Sequence, residues 1–504
     1  MAIKECLKNN YNGIPLKNEV QYLGILITKD QKRRCLLNFS SIIEKTKKKL
    51  NHWLIRDLSL RGRVLITKAE GISRLMYAAM ALHLDKKLCK EIDKILIDFI
   101  WKNKIHYIKK TVIMNSYENG GLNVLDFATL NNTCKINWLK QIVKNPNSIW
   151  CFIPSHILSK LGGIHFFLSC NYNIDKIPAK LAEFHRQAFL SWSLIHKHNF
   201  SPHRYYIWNN KDIIYKHKSL YLKHWFDNGI ILVDQLFNLN GFLFTYGEFL
   251  AQYKIPVTPG DYAKVFGAIS PEVCMLFRHQ TRINIQQWSL PNVMSSYIGN
   301  ICFSLKSHNS SIRALFQRDI VSLPYVNSYW NRLTDNIVWK KVWLIPNKYL
   351  ITNKVKEVSF KIIHRIYPAK HYLVKFKSDI DISCSFCVSC PETVVHLFWH
   401  CPFVKLFWQN LCDFIVQNID HHFVLLWKYV LFGMLENSKE NVYIINLIVL
   451  HAKFHIHKCK FSCKKPCFIS FRKEMEHYID TIRFSLKQKA IKTVKVCKRF
   501  NIFI

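Results

Sequence analysis

The chain has 504 residues, with 72 Lys and Arg against 33 Asp and Glu and a formal net charge of +39. Such an excess repels itself unless a polyanion neutralises it, which points to RNA or DNA as partner, while 49% hydrophobic and 14% aromatic residues exclude a disordered basic tail. The 17 cysteines are odd in number and scattered; with a polar opening at Met1–Asn10, they argue against a secreted disulfide scaffold and for a reduced intracellular compartment, nucleus or cytoplasm.

Residues 20–28, VQYLGILIT, are β-prone around Gly24 and predict a short strand pair. From Ser40 the period becomes helical: Ile42, Ile43, Leu50, Trp53 and Leu54 fall on one face beside the lysine run Lys45, Lys47, Lys48 and Lys49. Asp57 or Ser59 is placed to cap the next helix, which carries Arg61, Arg63 and Lys68 beside Val64, Leu65 and Ile66. A third helix is expected over Glu91–Trp101, with Ile92, Ile95, Leu96, Phe99 and Ile100 as its buried stripe. Asn119-Gly120-Gly121 marks a turn, after which a helical pattern resumes from Leu122 to Trp138.

Residues 150–380 mix apolar helical stretches with loops and contain no repeat. From Trp339 to Tyr372 the chain is again basic and helical, with Phe360, Ile363 and Ile366 on one face. Phe403–Gly433 reads as aromatic-rich helix, and the last stretch is strongly basic. The longest apolar run, Val442–Leu450, is about half of the ~20 residues a membrane span needs, so no transmembrane helix is expected.

The sharpest motif is Cys384-x2-Cys387-x8-His396-x4-Cys401. Two thiolates so close in sequence present both sulfurs to one ion, and a third thiolate with an imidazole completes the tetrahedron that Zn²⁺ favours. Pro391 and Glu392 suit the first turn of a helix that holds His396. His396 and Cys401 stand about 140° apart on a continuous α-helix, so both face one metal only if that helix ends before Cys401, and Pro402 is placed to start another. The competing reading is a set of free core cysteines, and Cys390 and His400 are alternative ligands. Four protein donors leave no open position, so the zinc is expected to be structural. A second cluster, Cys459, Cys463 and Cys467 below His451, His455 and His457, reads as ordinary reduced cysteines because Pro466 interrupts its helix.

Arg61, Arg63 and Lys68 lie on consecutive turns, a pattern able to contact successive phosphates. Polymerases and nucleases of the two-metal type need convergent carboxylates for Mg²⁺, yet no two aspartates are adjacent anywhere in this chain. GxxxxGK[ST], GxSxG and HExxH motifs are also missing, and no catalytic residue is identified.

Together these residues resemble a known family. Tyr22-Leu23-Gly24-Ile25 is similar to the primer grip of non-LTR retrotransposon reverse transcriptases. Trp53, Leu58-Ser59-Leu60-Arg61-Gly62-Arg63 with Lys68, Phe99-Ile100-Trp101 and Gly120-Gly121-Leu122-Asn123-Val124 resemble its thumb. Glu392, His396-Leu397-Phe398 and Cys401 resemble the zinc-binding region near the end of LINE-type open reading frames, and Ala452-Lys453 with His457-Lys458-Cys459-Lys460 that family's last region. The resemblance implies a mainly α chain: a palm remnant with primer-grip strands at 1–30, a helical thumb at 31–150, a helical connector at 151–380 and a zinc-binding, basic domain at 381–504. It also implies nucleic-acid contacts at Tyr22 and Gly24, and Mg²⁺ only in a palm that would lie before residue 1. The expected function is binding of RNA or primer–template without polymerase activity of its own. The alternatives are a structural or protein-interaction protein derived from the element, and part of an active RNA-directed DNA polymerase whose palm lies upstream.

Overall fold

The computed structural model describes residues 10–11, 14–15, 17–278, 297–298, 301–302, 308–334, 337–376, 379–435 and 439–503. Part of the expected palm remnant, residues 1–9, 12–13 and 16, lies outside them. The described chain is mainly α, with four two-stranded antiparallel hairpins as its sheets. It divides into two compact units: residues 1–45, 73–92 and 126–320 form the first, and residues 46–72, 93–125 and 321–504 the second. The stretch expected as a contiguous thumb therefore contributes to both.

The strand pair forms as expected in the first unit. Strands β1 (Glu19–Tyr22) and β2 (Ile25–Thr28) pair with Tyr22 opposite Ile25. The two-residue turn between them has positive φ at Leu23 (47°) and Gly24 (78°), which matches the right-handed twist of a hairpin and suits glycine at its second position. Tyr77 Oη anchors the turn by donating to Leu23 O at 2.7 Å.

Helix α1 (Gln31–Leu54) buries Cys35, Phe39, Ile43 and Leu50 and exposes Lys45, Lys47, Lys48 and Lys49, the amphipathic pattern that its spacing predicts. In the first unit, α2 (Ser73–Ala81) ends over a buried lysine. Lys135 Nζ, on α3 (Phe127–Lys144), donates to Ala79 O at 2.6 Å and Leu82 O at 2.7 Å, satisfying carbonyls that a helix end leaves open. Asp126 caps α3 by accepting from Thr129 N at 2.7 Å. This cap starts the helix at Phe127 rather than Leu122, and the intervening Leu122 and Val124 are buried in the second unit's core without being helical. The core of the first unit is aromatic, with Trp192, Trp208 and Trp225 fully enclosed. Two of the indoles donate to carbonyls, Trp192 to Leu168 and Trp208 to Ile230.

In the second unit, Ser59 rather than Asp57 caps α4 (Leu60–Ile66) by accepting from Gly62 N. A π-helical segment, Thr67–Ile72, follows. The expected third helix runs over Lys86–Ile100 and buries Ile92, Leu96, Ile97, Phe99 and Ile100, with Ile95 half-buried. The Gly120-Gly121 turn is required by packing: Gly120 has φ +77°, and a Cβ on Gly121 would stand 2.0 Å from Asn115 O. Next come α5 (Trp339–Leu344), α6 (Asn353–Ile363), α7 (Pro402–Asn418), α8 (Glu440–Phe461), α9 (Phe468–Arg483) and α10 (Gln488–Arg499). The apolar run Val442–Leu450 lies in α8, where Ile444, Ile445, Leu447 and Ile448 are all buried in this core. A helix apolar on every side belongs inside a core, and no described helix is long and apolar enough to cross a membrane.

Candidate metal centre

The centre is assembled from a knuckle, a distorted helical turn and a helix start. The knuckle is closed by Cys384 N donating to Cys390 O at 2.8 Å and Val388 N to Cys384 O at 3.0 Å, with Val388 at positive φ. Phe386 N points at Cys384 Sγ from 3.4 Å, a contact that favours a thiolate there. His396–His400 is a π-helical turn, in which Cys401 N donates to His396 O at 2.8 Å. This i→i+5 bond widens the turn by one residue and brings Cys401 round to the side that His396 faces. Cys401 then leaves the helical conformation, and Pro402 opens α7 at its first position. The helix break that the sequence demands is present, and the π turn supplies the rest of the rotation.

The four donor atoms of Cys384, Cys387, His396 and Cys401 lie within 4.8 Å of one another, the only such group of three or more ligands among the described residues. Cys384 and Cys401 Sγ are 3.9 Å apart, and Cys387 Sγ is 3.3 Å from His396 Nε2. Zn–S bonds of ~2.3 Å in a tetrahedron require a sulfur separation of about 3.8 Å, so the arrangement fits structural zinc with all four positions supplied by protein. Cys390 and His400 are exposed and outside the group. Burial pushes the Cys384 thiol up and Cys401 up to about 12. At Cys387 burial acts in the same direction, but hydrogen bonds from Ser389, His396 and Cys384 outweigh it and bring the thiol down to about 6. Without a metal, one ligand is thus ready as a thiolate and two carry protons that an ion must displace.

The Glu392 side chain, 0% exposed, braces the knuckle. Its carboxylate accepts from Ser385 N at 2.9 Å, from Ser385 Oγ, from Lys370 N at 3.0 Å and from Lys460 Nζ at 2.6 Å. Burial disfavours its charge, but Lys460 and Ser385 outweigh that and hold its pKa below the usual glutamate value. Lys460 also donates to Pro368 O. A buried ion pair therefore ties the turn between two metal ligands to α8. The sequence places Glu392 in a first helical turn and in the stretch resembling a zinc-binding region; in the structure the helix starts at Val394, after Glu392, which serves instead as a buried acceptor.

In the second cysteine cluster Cys459 is buried with its sulfur 3.5 Å from His455 Nε2, whereas Cys463 and Cys467 are exposed. His455 Nδ1 meets Glu474 at 3.1 Å, and no metal-ready group forms there.

The residues expected to contact nucleic acid are divided between the two units. Tyr22, 63% exposed, and Gly24 belong to the first unit; Arg61, Arg63 and Lys68 belong to the second. Arg63 is buried and donates to Ile100 O at 2.6 Å and to Leu58 O. Arg61 donates to Asn347 Oδ1 at 2.6 Å and lies 4.5 Å over the Tyr117 ring. Lys68 is half-buried in the π segment. Both guanidiniums thus make contacts within the fold, since helical spacing groups residues on one side without saying which side faces water.

Comparison with known proteins fits this picture. Residues 324–408 match a family described as zinc-binding in reverse transcriptase. The chain is 20% identical, over 88% of its length, to the uncharacterized 149 kDa protein of transposon TX1 from Xenopus laevis, covering 37% of that protein. It is 25% identical, over 24% of its length, to a putative ribonuclease H protein of Arabidopsis thaliana, covering 21% of it. The chain thus spans well under half the length of either relative.

Proposed function

We propose that this chain, a LINE-type retrotransposon protein with a reverse-transcriptase zinc-binding region, binds RNA or primer–template nucleic acid without extending a primer on its own. The Cys₃His cluster inside the matched region carries the proposal, because it fixes the knuckle, α7 and, through Glu392, α8 in one arrangement. Zinc supplies no open coordination site there, so its contribution is rigidity. The net charge of +39 supplies the attraction for phosphates. Polymerisation is not expected because no adjacent aspartate pair stands in the sequence to hold Mg²⁺.

The test is a salt titration of RNA binding by zinc-loaded protein, alongside a zinc assay and a primer-extension assay with Mg²⁺. One zinc per chain and an affinity falling linearly in log–log against salt are expected. Metal-free folded protein, salt-independent binding, or template-dependent incorporation above a heat-killed control would each defeat the corresponding part.

A further inference from the structure

Within the second unit lies an open cleft of about 770 Å³, bounded by residues 57–60, 101–107, α6, 366–373 and the end of α8. Two of its walls are aromatic. On one, Trp101 and Tyr107 meet edge to face at 5.5 Å, and Tyr107 lies 6.2 Å from Tyr372. On the other, His457 stacks on Phe454 at 5.8 Å and touches Phe461 at 4.8 Å. Phe461, at the rim, is 61% exposed, a large ring left in water.

Five lysines line the same cleft against two carboxylates. Lys354 and Lys102 share Asp57 at 2.6 and 3.9 Å, and Asp57 is itself 78% exposed. Lys361 pairs with Glu357 and Lys458 with Glu474. Lys104 has no ion-pair partner among the described residues. A phosphate entering here meets Lys104 directly and can displace the exposed Asp57 from Lys354 and Lys102. An acidic peptide would use the lysines but leave the rings unused. A duplex keeps its base faces stacked, and at roughly 20 Å across it would not enter. Unpaired nucleotides use both features, since stacking on aromatic rings and a basic track are how sequence-tolerant single-strand sites are built.

We propose that this cleft seats one or two unpaired nucleotides of an RNA or DNA strand, with phosphates against Lys104 and Lys354 and a base on Phe461. The inference rests on the nucleic-acid-binding reading above and adds where the strand goes.

The experiment uses the full zinc-loaded chain and four probes: decauridine RNA, decathymidine DNA, an abasic DNA of equal length, and polyglutamate as competitor. Phe461→Ala should weaken binding to the base-bearing strands roughly fivefold or more while leaving the abasic strand unaffected. The double substitution Lys104→Gln with Lys354→Gln should flatten the log K against log salt slope by roughly 0.7 for each phosphate that is no longer neutralised. Both variants should keep the zinc content and far-UV spectrum of the parent, since all three side chains are exposed. A loss on RNA and DNA alike supports a general single-strand site, and a loss on one alone supports the site and identifies its strand. The cleft proposal is overturned if the parent binds nucleic acid but Phe461→Ala leaves both strands unchanged or weakens the abasic strand equally. Phe461→Ala without effect while polyglutamate competes as well as RNA per charge would mark an acidic peptide as occupant and also overturn it. A parent that binds no strand at all defeats the broader function instead.

Discussion

Replacing Glu392 with Gln tests whether the buried carboxylate holds the metal knuckle in place. All of its polar partners are donors: Ser385 N and Oγ, Lys370 N and Lys460 Nζ. A glutamine retains one acceptor oxygen and turns an NH₂ group toward at least one of these donors. It also leaves Lys460, 7% exposed at its side chain, without a counter-charge. Removing one partner of a buried ion pair costs about 3–5 kcal/mol, and the retained oxygen places Glu392→Gln near the lower end, at ~3 kcal/mol. Because Ser385 lies between Cys384 and Cys387, zinc affinity should fall by about 10–100-fold, as for other groups that orient metal ligands. Zinc release during urea unfolding, followed with a metallochromic dye, reads the loss in this unit rather than averaged over the whole chain. The double variant Glu392→Gln, Lys460→Met should recover part of the stability, since the orphaned charge goes with the lysine. The reasoning fails if Glu392→Gln releases zinc at the parent's urea concentration with unchanged affinity, or if adding Lys460→Met makes matters worse by its full independent cost.

Three further outcomes are expected. Cys387→Ser should abolish tight zinc binding whereas Cys390→Ser, exposed and outside the ligand group, should leave it intact; equal damage in a zinc titration would reassign the ligands. Zinc binding at pH 8 should release about two protons, from the thiols of Cys384 and Cys401, which burial raises, and none from Cys387, which lies at about 6. Affinity should therefore rise with pH, and calorimetry in buffers of different ionisation enthalpy gives the count. Arg63→Gln removes a buried guanidinium from Ile100 O and Leu58 O and should cost about 1.5–3 kcal/mol of stability. The salt slope of RNA binding should stay unchanged; a flattened slope in the folded variant would return Arg63 to the nucleic-acid surface.

The parts of the site legible in the sequence were those fixed by covalent spacing. Cys384-x2-Cys387 can close on one ion with few backbone choices, and Pro402 announces a helix start wherever it stands. The π turn was not legible, because one inserted residue in a helix leaves no mark of its own in His396–His400. Nor was Glu392's role, since its partner Lys460 lies on a helix far along the chain. Arg61 and Arg63 show the converse: charge suggests solvent, but Arg63 meets the carbonyls of Leu58 and Ile100 and Arg61 the side chain of Asn347, partners that only the folded chain supplies. The strand pair at Tyr22 and Gly24 is legible because a two-residue turn is local. The region from 151 to 338 resisted reading because short helices give little periodicity, and its core is organised around tryptophans that meet from distant segments.

The second unit takes its parts from 46–72, 93–125 and 321–504, whereas the first is complete at residue 320. On a ribosome adding about 5–20 residues each second, the segment carrying Leu60 and Val64 therefore waits on the order of fifteen to ninety seconds for the helices that enclose it. During that interval its apolar stripe, with Ile97, Ile100 and Trp101, has no core to enter. The nascent chain thus passes through a stage in which the first unit can close while pieces of the second remain sticky and unclaimed. Chaperone demand should peak in that window, and a stop between residue 320 and α8 would release a product holding one finished unit and an orphaned set of greasy helices.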